Sequence, residues 1–222
     1  MRYRICLSLL VAIVPSNRLR LFLYRRLLGY EIGAGSRIGA LNLIACQHFR
    51  LGPGATIGRF NVFRGAFAFS AGPRLFVGHR NVFTCPDRLD APALRARGYA
   101  RAIKFGADCL VNDGHYLDGH GHISVGNGTW IAGRDSQFHT HGASARDRDI
   151  AIGAGCFIGS AVRFAPGSAV GDACVVGLGS VVVGRIDARE ALVSGFPARP
   201  IRDIAAERAA GKFAFSRADW AA

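Results

Sequence analysis

The sequence predicts an all-β chain, a left-handed parallel β-helix of hexapeptide repeats, with short N-terminal helices and a C-terminal helical tail. A bulky apolar residue occupies every sixth position from Ile152 to Val182, and glycine follows most of them. A related apolar-x-apolar-Gly string recurs upstream. A period of six fits neither a helix nor a simple alternating strand. It fits one short strand and one corner per six residues, with three such units closing a triangular coil.

The clearest repeats give the expected interior of the coil. The apolar series is Ile152, Ile158, Phe164, Val170, Val176 and Val182. A smaller residue lies four places after each of the first five, namely Cys156, Val162, Ser168, Cys174 and Ser180. We expect the apolar residues to point inward and to stack on their counterparts in coils ~4.8 Å apart. The smaller residues are expected to fill the crowded interior near the corners.

The upstream strings define the domain organisation. LFVG, IKFG, ISVG and IAIG end at glycines 78, 106, 126 and 153, so most of their intervals exceed one coil of 18 residues. The excess predicts loops that leave the coil near residues 84–102 and 137–149. We therefore expect an N-terminal arm at 1–30, the β-helix at 31–184, and a turn with a helical tail at 185–222. A terminal helix would cover the exposed strand edges of the last coil.

Composition limits the classes of partner. The net charge is +13, and 26 of the 28 basic residues are arginine, which indicates an anionic partner such as an acidic polysaccharide, a phosphorylated ligand, nucleic acid or an anionic lipid surface. No nucleic-acid recognition motif accompanies the charge, so we expect no nucleic acid partner. The sequence contains no run of 18 apolar residues, so we expect no membrane-spanning helix. The six cysteines form no CxxC pair and are expected to be reduced thiols of a cytoplasmic protein.

The N-terminal arm leaves two interpretations open. It is predicted to form two short helices broken at Pro15, and residues 1–37 hold seven arginines but only one acidic residue, Glu31. A small-x-small cleavage site does not follow the apolar run, which argues against a signal peptide. Such an arm could lie on the inner face of a membrane as a peripheral contact. Alternatively, it caps the end of the core.

Five of the seven histidines lie within residues 112–147, and three interpretations compete there. One histidine could be a general base, because imidazole can take a proton from a hydroxyl at neutral pH. His120-x-His122 and His139-x-His141 could instead present zinc ligands. For any single histidine, a polar surface residue without chemistry is the third interpretation.

The segments 123–143 (ISVGNGTWIAGRDSQFHTHGA), 150–183 and 194–204 (SGFPARPIRDI) resemble the galactoside and maltose O-acetyltransferase family, and sugar O-acetyltransferases of polysaccharide assembly. The resemblance extends from about residue 103 to 204. It implies a homotrimeric enzyme that transfers acetyl from acetyl-CoA to a sugar hydroxyl. It further implies that His141 is the general base, with His139 in reserve, and that Asn112 and His115 lie near the acceptor.

The same resemblance implies that acetyl-CoA binds in the groove between adjacent subunits. The residues expected along it are Phe157, Ser160, Leu178 and Gly179, with Arg199 and Arg202 at the phosphates. Arginine suits this role, since guanidinium groups match phosphate geometry. No metal site is expected for this reaction.

Three departures from the family pattern bear on the acceptor. Phe157 stands where the family has tryptophan, the segment after the histidine shortens to GASARDRD, and the basic arm replaces the family's N-terminal helical domain. With the positive charge, these favour a large or lipid-linked anionic glycan, such as a surface polysaccharide or its precursor. The alternatives are an N-acetyltransferase acting on an amino sugar, a zinc-dependent protein resembling β-helical carbonic anhydrases, and a non-catalytic scaffold.

Overall fold

A computed structural model describes residues 2–86, 100–142, 149–213 and residue 215. The two predicted loops lie partly outside the described residues, at 87–99 and 143–148, as does most of the tail beyond 213. The described chain forms a three-sided parallel coil. We name its sides faces 1, 2 and 3 in the order in which the chain passes along them from Arg37 onward. Corner 1 joins face 1 to face 2, corner 2 joins face 2 to face 3, and corner 3 returns the chain to face 1.

Face 1 is a nine-stranded sheet. Its strands are β2 (Arg37–Ile38), β4 (Thr56–Ile57), β6 (Phe76–Val77), β9 (Leu110–Asp113), β12 (Trp130–Arg134), β15 (Phe157–Ile158), β18 (Val175–Val176), β21 (Ala191–Gly195) and β22 (Ala198–Asp203).

Faces 2 and 3 belong to one sheet, because β3 (Leu43–Leu51) and β5 (Val62–Ala71) bend through corner 2 without a break. The other strands of face 2 are β7 (Val82–Thr84), β10 (Tyr116–Asp118), β13 (Gln137–Phe138), β16 (Arg163–Phe164) and β19 (Val181–Val182). Face 3 holds β1 (Glu31–Ile32), β8 (Ala102–Phe105), β11 (His122–Val125), β14 (Ile150–Ile152), β17 (Ala169–Val170) and β20 (Arg185–Ile186).

The strand register confirms the predicted parallel β-helix of hexapeptide repeats. Ile158 pairs with Val176 on face 1, and Phe164 pairs with Val182 on face 2, each across a step of 18 residues. The hexapeptide positions are buried, as are the smaller residues that follow them. The core is therefore a set of stacked columns, and the column on face 2 is rich in phenylalanine, with the Phe63 and Phe83 rings stacked at 4.4 Å between centroids.

The corners differ in how they are built. At corners 1 and 3, each coil places one residue in the left-handed backbone region, which lets six residues make a strand and a sharp bend. At corner 1 these residues are Leu41, Phe60, Arg80, Gly114, Asp135, Ala161 and Gly179, and at corner 3 they are Gly35, Gly54, Arg74, Asp108, Gly128, Gly155, Ala173 and Glu190. Corner 2 has no such regular series in the described coils, and both predicted loops leave the coil there.

The N-terminal arm forms α1 (Arg2–Ala12) and α2 (Asn17–Leu28), which cover the first coil. Ser16 caps α2 by accepting a hydrogen bond from the Leu19 backbone N–H, and Gly29 ends it in the left-handed conformation. In the described part of the chain, no helix is both long and apolar enough to cross a membrane.

The C-terminal region differs from the prediction. The coil does not stop near residue 184, because β20 pairs with β17 and β21 pairs with β18. Ile186 and Val193 keep the apolar columns going although the glycine pattern has ended. β21 and β22 then form an antiparallel hairpin, and the only described helix that follows is the five-residue α3 (Ala205–Ala209).

Candidate active site

Corner 2 brings a histidine and a carboxylate together. His141 follows β13, where the second loop begins, and Asp118 ends β10 one coil below. The His141 Nδ1 atom lies 2.5 Å from Asp118 Oδ2. The Asp118 side chain is 1% exposed, whereas the His141 side chain is 46% exposed. One ring nitrogen of His141 is thus held by a buried acid, and the ring remains accessible to solvent.

The surroundings of Asp118 keep its carboxylate in place. Its Oδ2 accepts a hydrogen bond from the Thr140 backbone N–H at 3.1 Å, and its Oδ1 accepts one from the His120 N–H at 3.2 Å. The Thr140 hydroxyl donates to the Asp118 backbone carbonyl at 2.8 Å. An ionised carboxylate can only accept hydrogen bonds, so the His141 proton belongs on Nδ1. The Nε2 atom then carries the free lone pair that a general base needs.

The side chains of the two neighbouring histidines make other contacts. The His139 Nε2 atom lies 3.2 Å from Gln137 Oε1, and its ring centroid lies 5.5 Å from that of Tyr116. The His120 ring contacts the His141 ring, with centroids 4.7 Å apart. Of the two predicted candidates for the base, His141 therefore has the geometry, and His139 lies beside it on the same edge of face 2.

A small pocket of about 230 Å³ opens beside His141. It lies at corner 2 between the beginnings of the two loops and carries charged, hydroxyl and aromatic groups. Its lining consists of Arg64, Thr84, Cys85, Pro86, Tyr116, Asp118 and His141. The pocket can hold a group of about the size of one sugar ring against the imidazole.

Asn112 lies at corner 1, away from His141 in the same chain. It belongs to β9 on face 1 and lines a groove of about 600 Å³ together with His79, Arg134 and Ser160. The structure thus places the predicted acceptor-binding residue Asn112 near the predicted cofactor-binding residue Ser160. The width of face 2 separates both from His141 within one copy.

His115 belongs to a ladder of buried side chains inside corner 1. In each coil a side-chain acceptor receives the backbone N–H of the next, through Asn42, Asn61, Asn81, His115 and Ser136. The His115 Nδ1 atom accepts the Ser136 N–H at 3.1 Å, and the residue is 1% exposed. Burial lowers the pKa of His115 to about 4. Its position explains a structural role, and the ring does not face the pocket of His141.

Stability should fall in acid because of His115. The unfolded chain, with a pKa near 6.5, binds a proton that the folded state binds only near pH 4, so stability rises with pH across this window. At pH 5 the loss is about 2 kcal/mol. His115→Asn copies the Asn81 position one coil earlier and should remove this part of the pH dependence. Urea denaturation at pH 7.5 and pH 5 measures it, and equal pH dependence in both proteins would contradict the assignment.

The remaining predicted cofactor residues lie on face 1 or corner 1. Leu178 is 80% exposed at the same corner as Gly179 and Ser160. The Phe157 ring on β15 lies 5.4 Å from the Phe215 ring of the C-terminal segment.

The two predicted phosphate ligands lie on the C-terminal hairpin. Arg199 and Arg202 project from β22, and Arg202 forms an ion pair with Glu207. Every residue that was predicted to bind acetyl-CoA therefore lies on the side of the prism that carries Asn112, and none of them lies at corner 2.

Within the described residues, no group of three or more histidine, cysteine and acidic side chains is placed to hold a metal ion. His141 is engaged with Asp118, and His139 lies next to Gln137. The zinc alternative therefore has no ligand set in this part of the chain.

Sequence reasoning missed Asp118, the buried partner of His141. The spacing of the coils could have identified it, because residues in the same place on successive coils stack on each other. Leu117 pairs with Phe138 on face 2, so Asp118 precedes corner 2 one coil below the residues that lead to His141.

Fold and site together define a hexapeptide-repeat β-helix with a histidine–aspartate pair at one corner. The sequence matches no protein-family model and no curated protein. Among solved structures, it is similar to a hexapeptide-repeat acetyltransferase of Vibrio cholerae complexed with acetyl coenzyme A (20% identity, 91% of this chain, 86% of that chain, TM-score 0.44).

Two further solved structures are similar to this chain. One is LpxA, a UDP-N-acetylglucosamine acyltransferase from Bacteroides fragilis (16% identity, 83% and 74% of the two chains, TM-score 0.49). The other is a maltose O-acetyltransferase from Clostridium difficile (21%, 91% and 85%, TM-score 0.37). At these identities and TM-scores the likenesses agree with the architecture and assign no activity to this chain.

Proposed function

We propose that this protein is an acetyl-CoA-dependent O-acetyltransferase that acts on a sugar hydroxyl of a surface polysaccharide or of its lipid-linked precursor. The observation that carries the proposal is the His141–Asp118 pair, whose imidazole is accessible beside a sugar-sized pocket. A β-helix has a packed interior, so its chemistry must take place on its surface, and corner 2 supplies the base there.

The proposed reaction is direct transfer. His141 Nε2 takes the proton of the acceptor hydroxyl as the hydroxyl oxygen attacks the thioester carbonyl carbon. A new ester C–O bond forms and the C–S bond breaks. The departing thiolate of CoA receives the proton back from the imidazolium. Asp118 stabilises the positive charge on the ring during the step and fixes its orientation through Nδ1.

The pocket suits an acidic sugar. Arg64 brings a positive charge, Thr84 a hydroxyl, and Tyr116 an aromatic surface with a polar tip. Guanidinium groups bind carboxylates and phosphates well, and the hydroxyl can bond to sugar oxygens. This agrees with the overall charge of +13.

The donor is proposed to bind along corner 1 of a neighbouring copy. In one chain, corner 1 carries Ser160, Leu178, Gly179 and Asn112, while His141 lies at corner 2. A contact between two different corners is head-to-tail, and such contacts close into rings when the rotation permits. Three copies of a three-sided prism close in this way, so we propose a homotrimer with three sites between chains.

Mixing two inactive variants tests this arrangement. His141→Ala removes the base from corner 2, and Leu178→Glu sets an acidic group on the donor path at corner 1. We expect each to lose activity alone. Co-expressed in equal amounts, they should recover about a quarter of wild-type activity, since one interface in four then joins two intact corners. The assay is thiol release from acetyl-CoA with hydroxyl sugars and amino sugars as acceptors.

A matched control uses His141→Ala mixed with Asp118→Asn. Both changes affect corner 2 of one chain, so no interface combines two intact halves, and the activity should stay at the level of the separate variants. Recovery in this control, or its absence in the first mixture, argues that each chain works alone. Turnover of amino sugars only would select the N-acetyltransferase alternative.

A further inference from the structure

The N-terminal arm presents an apolar outer side to solvent. In α1 the exposed large apolar residues are Tyr3, Leu9 and Leu10, with Ile13 just after the helix. In α2 they are Leu19, Phe22 and Leu27. Single exposed apolar residues are ordinary, but seven within 25 consecutive positions form a concentration that marks an interaction surface.

This exposure is not a sign of poor docking, because the inner side of the arm is firmly attached to the first coil. The Ser8 hydroxyl accepts the Ile44 N–H at 2.7 Å, and the Tyr24 hydroxyl donates to the Asn42 carbonyl at 3.2 Å. Arg20 donates from Nε to the Ile38 carbonyl at 3.0 Å. Both helices thus use one side to cap the coil, and their exposed residues point the opposite way.

The exposed apolar residues alternate with positive charge. Residues 2–28 contain six arginines and no acidic residue. Arg18 and Arg26 are exposed on α2, where they flank Leu19, Phe22 and Leu27. A partner for this side must therefore accept apolar side chains and carry negative charge along the same surface.

We propose that the outer side of the N-terminal arm binds the surface of an anionic phospholipid membrane. Its apolar side chains enter the boundary between headgroups and acyl chains, and its arginines contact lipid phosphates and acidic headgroups. Charge complementarity decides for lipid over a second copy of this chain, since a second copy would bring an equally basic arm against the first. The proposal does not depend on the acetyltransferase activity, because it concerns a separate end of the coil.

Attachment through the arm bears on the distance of corner 2 from the membrane surface. The first strand of face 2 begins at Leu43 on the coil that the arm covers, and Asp118 and the turn to His141 lie three and four coils further on. At ~4.8 Å per coil the pair lies roughly 15–20 Å along the axis from that first coil. With the arm on lipid and the coil axis along the membrane normal, the site would stand above the lipid headgroups.

Vesicle binding tests the proposal with the full chain and without any substrate. We expect the protein to sediment with vesicles of phosphatidylglycerol and phosphatidylcholine, and not with vesicles of phosphatidylcholine alone. Phe22→Glu should reduce the partition coefficient at least tenfold. Ile201→Glu is the matched control, because Phe22 and Ile201 are 58% and 59% exposed and the charge change is the same. It should bind as the wild type does.

A second variant separates charge from apolar contact. Arg18→Gln with Arg26→Gln should weaken binding to anionic vesicles roughly thirtyfold, at about 1 kcal/mol per arginine near the lipid surface. Equal binding of Phe22→Glu and wild type, or equal binding to neutral vesicles, would overturn the proposal. So would a smaller molar mass of Phe22→Glu in light scattering, which would show that another copy covers the arm.

Discussion

Replacing His141 by alanine is expected to lower the rate of acetyl transfer by about 10²–10⁴, the usual contribution of a positioned general base. Without the imidazole, no described group at the pocket both accepts a proton and is oriented by a buried carboxylate. Binding of CoA should stay the same, because the proposed donor path runs along corner 1. Thiol release with acceptor present measures the first quantity, and calorimetric titration with CoA measures the second.

His139→Ala is the matched comparison, since His139 lies two residues away on the same edge of the coil. Its ring contacts Gln137 and Tyr116 and has no contact with Asp118. We expect a loss of less than tenfold. If His139→Ala were the more damaging change, the base would be the reserve residue and the proposed role of Asp118 would fall with the assignment.

Asp118→Asn is expected to lower the rate by a similar amount, about 10²–10⁴, although Asp118 itself does not touch the acceptor. The carboxylate accepts from His141 Nδ1 and from the Thr140 N–H at the same time. An amide offers one oxygen and one NH₂ group. If the NH₂ group faces His141, it donates to Nδ1 and places the ring proton on Nε2, where the base must be free.

A split between kcat and KM distinguishes this positioning role from a loss of structure. Asp118→Asn should lower kcat and leave the KM for acetyl-CoA unchanged, because the proposed acetyl-CoA path runs along corner 1. Asp172→Asn is the control at corner 3, where the carboxylate accepts the Ala154 N–H at 2.8 Å. It should leave both constants unchanged. A rise in the KM for acetyl-CoA that matches the fall in kcat would mean that Asp118 only supports the fold.

The coil could be predicted from sequence because its order is strictly local and repetitive. Six residues make one strand and one bend, and the stacking partner of each residue lies 18 residues further along the chain. The positions of Ile152, Ile158 and Phe164 therefore predict which residues stack on them. The two loops were predicted by subtracting whole coils from the intervals between the repeats. The end of the coil was not predicted correctly, because Ile186 and Val193 stack without the glycines that mark the earlier units.

The sequence supplied only one member of the candidate site. Resemblance singled out His141 as the proposed base, but Asp118 becomes its neighbour only through pairing between coils, across 23 positions. His115 was predicted to lie near the acceptor. The structure instead sets it in the ladder that runs through Asn81, a role that depends on which corner the residue occupies. The residue type alone does not show whether a histidine lies in the buried ladder or at an exposed edge of the coil.

The contrast among the three bends has a consequence for how such a protein can change. At corners 1 and 3 a left-handed residue recurs in every coil, so an added amino acid there would break the alignment of all later columns. Corner 2 tolerates detours, since strands on either side of a long or a short connection still meet in register. New acceptors can therefore be accommodated by lengthening or shortening those detours, while the scaffold that carries the imidazole keeps its shape.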